Sequence, residues 1–243
     1  MNSDLKIKEL NDKAKGWPPE QIIRLAFEEF GQYLTFASSF GEEDQVITHM
    51  IASVAPEIPI FTLDTGRLFP ETYDLIAKTQ KRYTKPIQIY FPDAKAVEDM
   101  VRQKGINLFY ESIENRKLCC QIRKVEPLKR ALSQMRAWIS GLRREQSVTR
   151  SESQIFEVDS VNQKIKINPL VDWTLKEVRE YIAVNKVDVN PLHQKGFVSI
   201  GCAPCTRAIS QGEDIRSGRW WWENPEQKEC GLHDNPRRDL YKK

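Results

Sequence analysis

The strongest constraint on the fold of this 243-residue chain is an alternation of short apolar runs with helix-period segments. "QYLTFAS", "IPIFTLD" and "IQIYF" are brief, nearly uninterrupted apolar stretches of strand length. Between and around them lie "PPEQIIRLAFEEF", "QVITHMIASVA", "PETYDLIAKTQKRY" and "AKAVEDMVRQKG", which carry apolar residues at helical spacing. Strands that are apolar on both faces and separated by helices predict an α/β fold, a parallel sheet with helices on both faces. Further along, "VEPLKRALSQM" reads as a helix and "AWISGL" as a strand. "QIFEVDS" and "KIKINPLV" read as a strand pair, and "TLKEVREYIAVNK" as a helix capped near Thr174. Residues 1–17 read as a polar arm, and from about Pro191 periodicity stops.

The expected organisation is a nucleotide-binding α/β domain over 1–209 and a C-terminal tail over 210–243, mobile in the absence of ligand. No run approaches the roughly 18 apolar residues of a membrane span. The charged start lacks the apolar core of a secretory signal. A cytoplasmic protein without a membrane partner is expected. The net charge of +3 is too small to argue for nucleic acid. Its distribution is more informative: "RKLCCQIRK", "GLRREQSVTR" and "EDIRSGR" are separate basic loops suited to a small polyanion once they converge. Taken singly, each is better read as a solvated surface loop.

Two loops follow predicted strands, where an open α/β sheet presents its crevice. "SSFGEEDQV" precedes a helix whose first backbone amides can hold phosphate, and Gly41 admits close approach. The plain alternative is a small-residue connection chosen for sterics. "LDTGRLFPETY" places Asp64 and Thr65 at a strand end, positioned to bond a ribose or base edge, or simply to cap the local backbone.

Five cysteines, an odd number, argue against a disulfide framework in a cytoplasmic chain. Cys119-Cys120 and Cys202-x-x-Cys205 form two pairs, a set suited to tetrahedral zinc or an iron–sulfur cluster. Adjacent side chains diverge, so Cys119 and Cys120 fit separate corners of a [4Fe–4S] cluster better than one zinc ion, though zinc stays open. Cys230, in "KECGLH", lies near Lys228 and His233, which favour a reactive thiolate.

Taken together, "SSFGEED", "LDTGRLFPETY", "KLCCQIRKVEPLKR", "GLRREQS", "NPLHQKGFVSIGCAPCTR", "GRWWWE" and "KECGLH" resemble the assimilatory sulfonucleotide reductases. The similarity is greatest to the iron–sulfur type acting on adenosine 5′-phosphosulfate (APS), and spans roughly residues 20–235. The resemblance implies an adenine-nucleotide α-hydrolase-like fold related to the PP-loop ATP pyrophosphatases. It also implies a two-step reaction in which Cys230 attacks the sulfur of APS, AMP leaves, and reduced thioredoxin frees sulfite from the S-sulfocysteine. It assigns Cys119, Cys120, Cys202 and Cys205 to a [4Fe–4S] cluster that is not the electron donor. Lys124, Arg216, Arg219 and His233 match positions facing the phosphosulfate. Ser38, Ser39, Gly41, Glu43, Asp44, Leu63, Asp64, Thr65, Gly66, Arg144 and Gln146 match positions around the nucleotide. The first loop departs from the common pattern, with Phe40 where many relatives carry a small residue.

Three other readings stand beside this one. A reductase acting on 3′-phospho-APS (PAPS), or on both nucleotides, keeps the chemistry and changes the substrate. An ATP-dependent adenylating enzyme would be expected to carry a loop nearer SGGxDS. A non-catalytic zinc module would leave Cys230 idle. The oligomeric state is open, a homo-oligomer included.

Overall fold

The computed structural model describes residues 3–147, 150–210, 212–214 and 217–223. The chain begins with helix α1 (Ser3–Ala14). This corrects the expectation of a polar arm: Ile7, Leu10 and Ala14 share one helical face and are buried in the main core. Asn11 fastens that helix to the sheet, accepting from the Phe156 amide at 3.0 Å and donating to its carbonyl at 2.8 Å.

Helix α2 (Pro19–Phe30) has proline in its first turn, where no intrahelical donor is lost, and buries Ile22, Ile23, Leu25, Ala26 and Phe30. Strand β1 (Leu34–Ala37), helix α3 (Glu42–Val54), strand β2 (Ile60–Leu63), helix α4 (Pro70–Tyr83), strand β3 (Ile87–Tyr90) and helix α5 (Ala94–Lys104) follow. Helix α6 (Ile113–Cys120) is capped by Ser112, which accepts from the Asn115 amide, and runs into a π-helical turn at Gln121–Val125 before α7 (Glu126–Leu132). Then come β4 (Ala137–Ile139), β5 (Phe156–Asp159), β6 (Lys164–Ile167) and α8 (Leu175–Asn185). Thr174 and Glu177 close a reciprocal capping box at the start of α8.

The six strands lie in the order β3-β2-β1-β4-β6-β5. All neighbours are parallel except β5, which pairs antiparallel with β6. The predicted parallel α/β sheet is therefore present with one antiparallel edge, the strand pair expected from "QIFEVDS" and "KIKINPLV". From β1 the chain proceeds outward through β2 and β3, then returns to the other flank at β4. Strand order thus reverses between β1 and β4, the place where open α/β sheets hold ligands beyond their strand ends.

Candidate functional site

A cavity of about 250 Å³ opens at that reversal. Its walls come from the loops after β1, β2 and β4, from the π-helical turn, and from the irregular region after α8. Eight of the eleven expected nucleotide-side residues line it: Ser38, Ser39, Gly41, Glu43, Asp44, Leu63, Thr65 and Gln146. So do Lys124 and Arg219. Arg216, Cys230 and His233 lie outside the described residues.

The loop after β1 is organised by Asp44. One of its oxygens accepts from the Ser39 amide at 2.5 Å and from the Ser39 hydroxyl at 2.6 Å. The carboxylate of the chain thus already occupies both donors of Ser39, just ahead of the helix start. Burial raises the Asp44 carboxyl to about 6, against the opposing pull of the Ser39 bonds, and neighbouring Glu43 pushes it the same way as burial. Phe40 turns the loop with φ +64, in a region costly for a bulky residue, and its ring is buried in the main core. Gly141, after β4, presses against the same carboxylate: a Cβ there would lie 2.2 Å from Asp44 Oδ1.

Asp64 and Gly66 adjoin the cavity without lining it. Asp64 accepts from the Gly66 amide at 2.7 Å and from the Tyr73 hydroxyl at 3.0 Å, so its side chain is used in shaping the loop. Gly66 has φ +70, which favours glycine, and the carbonyl of Thr65 accepts from Arg123 at 2.6 Å. Arg144 points away: it donates to the Ser153 carbonyl and pairs with Asp172. Its neighbour Arg143 lines the cavity instead, donating to Glu43 at 2.8 Å and to Glu145 at 2.8 Å. Gln146 joins this network, donating to Glu43 at 3.0 Å and accepting from the Arg143 amide at 3.1 Å.

Arg143, Arg150 and His193 are cavity residues that sequence reasoning did not single out. The basic loop "GLRREQSVTR" was the available signal for the two arginines. Arg143 is extended and Arg144 opens a short 3-10 turn, however, so the two side chains part there, and the resemblance placed the inner role on Arg144. His193 Nδ1 lies 2.8 Å from the Phe197 carbonyl, which can only accept, so Nδ1 carries the proton. Nothing in "NPLHQKGF" pointed to that arrangement.

The four paired cysteines require a correction. They are not joined in disulfides and line a second, smaller cavity with Arg67, Arg116, Arg123, Lys124 and Arg219. Among the described residues, however, no group of three or more cysteine, histidine, aspartate or glutamate side chains is arranged to hold a metal ion. This overturns the expected [4Fe–4S] cluster on Cys119, Cys120, Cys202 and Cys205, and the iron–sulfur and metal-binding assignments with it. The zinc alternative meets the same objection. At Cys119 and Cys205 the surroundings favour the neutral thiol over the thiolate that ligates metals. Burial pushes the Cys119 thiol up, and raises Cys205 to about 12 with a smaller contribution from Cys202. Cys202 Sγ shares a 3.3 Å hydrogen bond with the Thr65 hydroxyl.

The described part of the C-terminal region packs against the body. Arg219 bridges to Thr206, and Trp220 is fully buried. Trp222 packs on Tyr110 with ring centroids 4.5 Å apart, while Trp221 stays partly exposed.

The fold and cavity define an open α/β protein with its site at the sheet's switch point. Residues 33–208 match the phosphoadenosine phosphosulfate reductase domain family. The chain is 54% identical over 200 residues to the adenosine 5′-phosphosulfate reductase of Allochromatium vinosum, covering 82% of this chain and 78% of that one. It is 48% identical over 226 residues to the protein of the same name from Sinorhizobium fredii strain NGR234, covering 93% and 90%. Among solved structures it resembles the phosphoadenylyl-sulfate reductase of Candida auris in its phosphate complex, with TM-score 0.72, 30% identity, and coverage of 84% and 96%. The FMN adenylyltransferase of Candida glabrata, at TM-score 0.57 and 14% identity over 97% of this chain and 81% of that one, is a likeness of fold alone. This chain belongs to the sulfonucleotide (APS/PAPS) reductase family.

Proposed function

We propose that the chain reduces APS to sulfite and AMP in sulfate assimilation, with thioredoxin as reductant. The observation that carries this reading is the convergence of the loops after β1, β2 and β4 with Lys124 and Arg219 on one cavity. That cavity occurs in a chain about half identical to APS reductases.

In the proposed first step the Cys230 thiolate attacks the sulfur of APS. The S–O bond to the phosphate breaks and its electron pair leaves with AMP, forming an enzyme S-sulfocysteine. One thioredoxin thiolate then attacks Cys230 Sγ, expelling sulfite. The second thioredoxin thiol resolves the mixed disulfide, restoring Cys230. Two electrons pass from the dithiol to sulfur. By resemblance, Lys124, Arg216, Arg219 and His233 face the phosphosulfate, and Lys124 and Arg219 line the cavity. Their charge offsets repulsion between thiolate and sulfuryl group and stabilises the departing phosphate. Ser38, Ser39, Gly41, Glu43, Asp44, Leu63, Thr65 and Gln146 surround the nucleotide, Arg143 orders Glu43 and Gln146, and Asp64 and Gly66 shape the second loop. Residues 210–243 act as the segment that brings Cys230 to the site, in a cytoplasmic enzyme.

PAPS is the second candidate substrate, favoured by the Candida auris likeness. The test is sulfite release from APS and from PAPS with reduced thioredoxin, alongside Cys230→Ser. Turnover of APS that disappears in Cys230→Ser is expected. Preference for PAPS would change the substrate while keeping the chemistry. Undiminished turnover in Cys230→Ser would overturn the covalent route.

A further inference from the structure

Arg116 and Glu223 form a bidentate ion pair, with Nε–Oε1 and Nη2–Oε2 both at 2.9 Å. Their side chains are 1% and 3% exposed. Burying two opposite charges is a poor way to gain stability, because well-packed apolar residues often serve as well or better. What the fork adds is a fixed geometry between the two elements that carry its halves.

Those elements both lead to the cavity. Arg116 lies on α6, which runs through the π-helical turn to Lys124. Glu223 ends the described segment that carries Arg219 and Trp220. The Trp220 ring joins the two: the guanidinium carbon of Arg116 lies 4.8 Å from its centroid and that of Arg219 lies 4.7 Å away. Each is a cation–π distance. Trp220 is 1% exposed and holds φ +42, a conformation a bulky residue keeps only when its surroundings enforce it. The Arg219 guanidinium also lies against Gly201, where a Cβ would come within 2.4 Å of it. Backbone hydrogen bonds from Arg207 N to Gly218 O and from Trp220 N to Cys205 O hold the segment in register.

We propose that the Arg116–Glu223 pair is a latch that, through Trp220, sets Arg219 in the cavity wall. Arg116, Trp220 and Glu223 are then positioning residues for the reaction at that site. The latch also anchors the chain leading to Cys230, seven residues beyond Glu223. That spacing confines the thiol to within about 25 Å of the anchor at full extension. This inference rests on the reading that Arg219 meets the phosphosulfate.

The test uses the full chain carrying Glu223→Gln, Arg116→Lys and Arg219→Lys, alone and in pairs. Glu223→Gln is expected to lower kcat/KM for APS at least tenfold, mainly through kcat, and to weaken AMP binding by a smaller factor. In the Arg219→Lys background it should add less than threefold, because both changes disable the same contact. Arg116→Lys keeps the charge and loses the fork, so it should show the same non-additivity. Full additivity in both pairs would overturn the latch, as would loss of folding in both single variants, since the pair would then be structural. A damaging Arg219→Lys beside a silent Glu223→Gln would remove the latch alone. A silent Arg219→Lys would remove the phosphosulfate assignment of Arg219 and the latch with it.

Discussion

Asp44 is where the chemistry of single residues is most exposed to measurement. A carboxyl that titrates higher in the folded state than in the unfolded chain binds its proton more tightly when folded. Its cost is therefore absent below the unfolded value near 4 and complete above about 6. The shift corresponds to about 3 kcal/mol. Asp44→Asn should gain on the wild type by about that amount as pH rises from 4 to 7, read as the difference between their denaturant unfolding free energies. A flat difference across that range would show that the Ser39 bonds fully offset burial, and a reversed slope that they outweigh it. Gly141 tests the same contact from the other side. Gly141→Ala places a methyl against Asp44 and should cost about 1–3 kcal/mol, as overpacking does. It should also weaken AMP binding, because it displaces the carboxylate that holds Ser39. Stability lost without any change in AMP affinity would separate the two.

At the scale of elements, most strands and helices from residue 19 to residue 185 were legible because their patterns are local; α6 and the π-helical turn after it, which carry no clear apolar period, were not. Three apolar runs separated by periodic segments leave little room for another architecture, and Thr174 with Glu177 marks a helix start in sequence as it does in space. Helix α1 was misread because its charge hides the small stripe of Ile7, Leu10 and Ala14, whose value appears only when β5 is there to receive it. Leu10→Ala should cost about 2–4 kcal/mol in unfolding free energy. The KM for APS should not move, since α1 does not line the cavity. A rise in KM would mean that the helix supports the site through the sheet. The cysteines were misread for a related reason. Spacing announces that thiols are paired, but their burial among Arg116, Arg123 and other side chains is a tertiary property that no motif encodes. Arg143 and Arg144 make the same point: composition identifies a basic loop, and only the change from extended backbone to a 3-10 turn between them decides which side chain turns inward.

At the scale of the whole molecule, the cavity lies across the seam between two halves of one sheet. β1, β2 and β3 run to one side, and β4, β6 and β5 to the other. A nucleotide held there touches the loops after β1 and β2 and also the loop after β4. Ligand binding should therefore stabilise the sheet as one unit rather than either half. With AMP at 100 times its Kd, mass action supplies about 2.7 kcal/mol. For a chain of this size that corresponds to a rise in Tm of about 5–10 °C. Calorimetry of the full chain should show one transition moving as a whole by that amount. Cys230→Ser should move equally, because the nucleophile acts on sulfur that AMP lacks. Two resolved transitions with only one shifted would mean that the halves unfold separately and that the nucleotide belongs to one of them. The site would then have to be redrawn on that side of the seam.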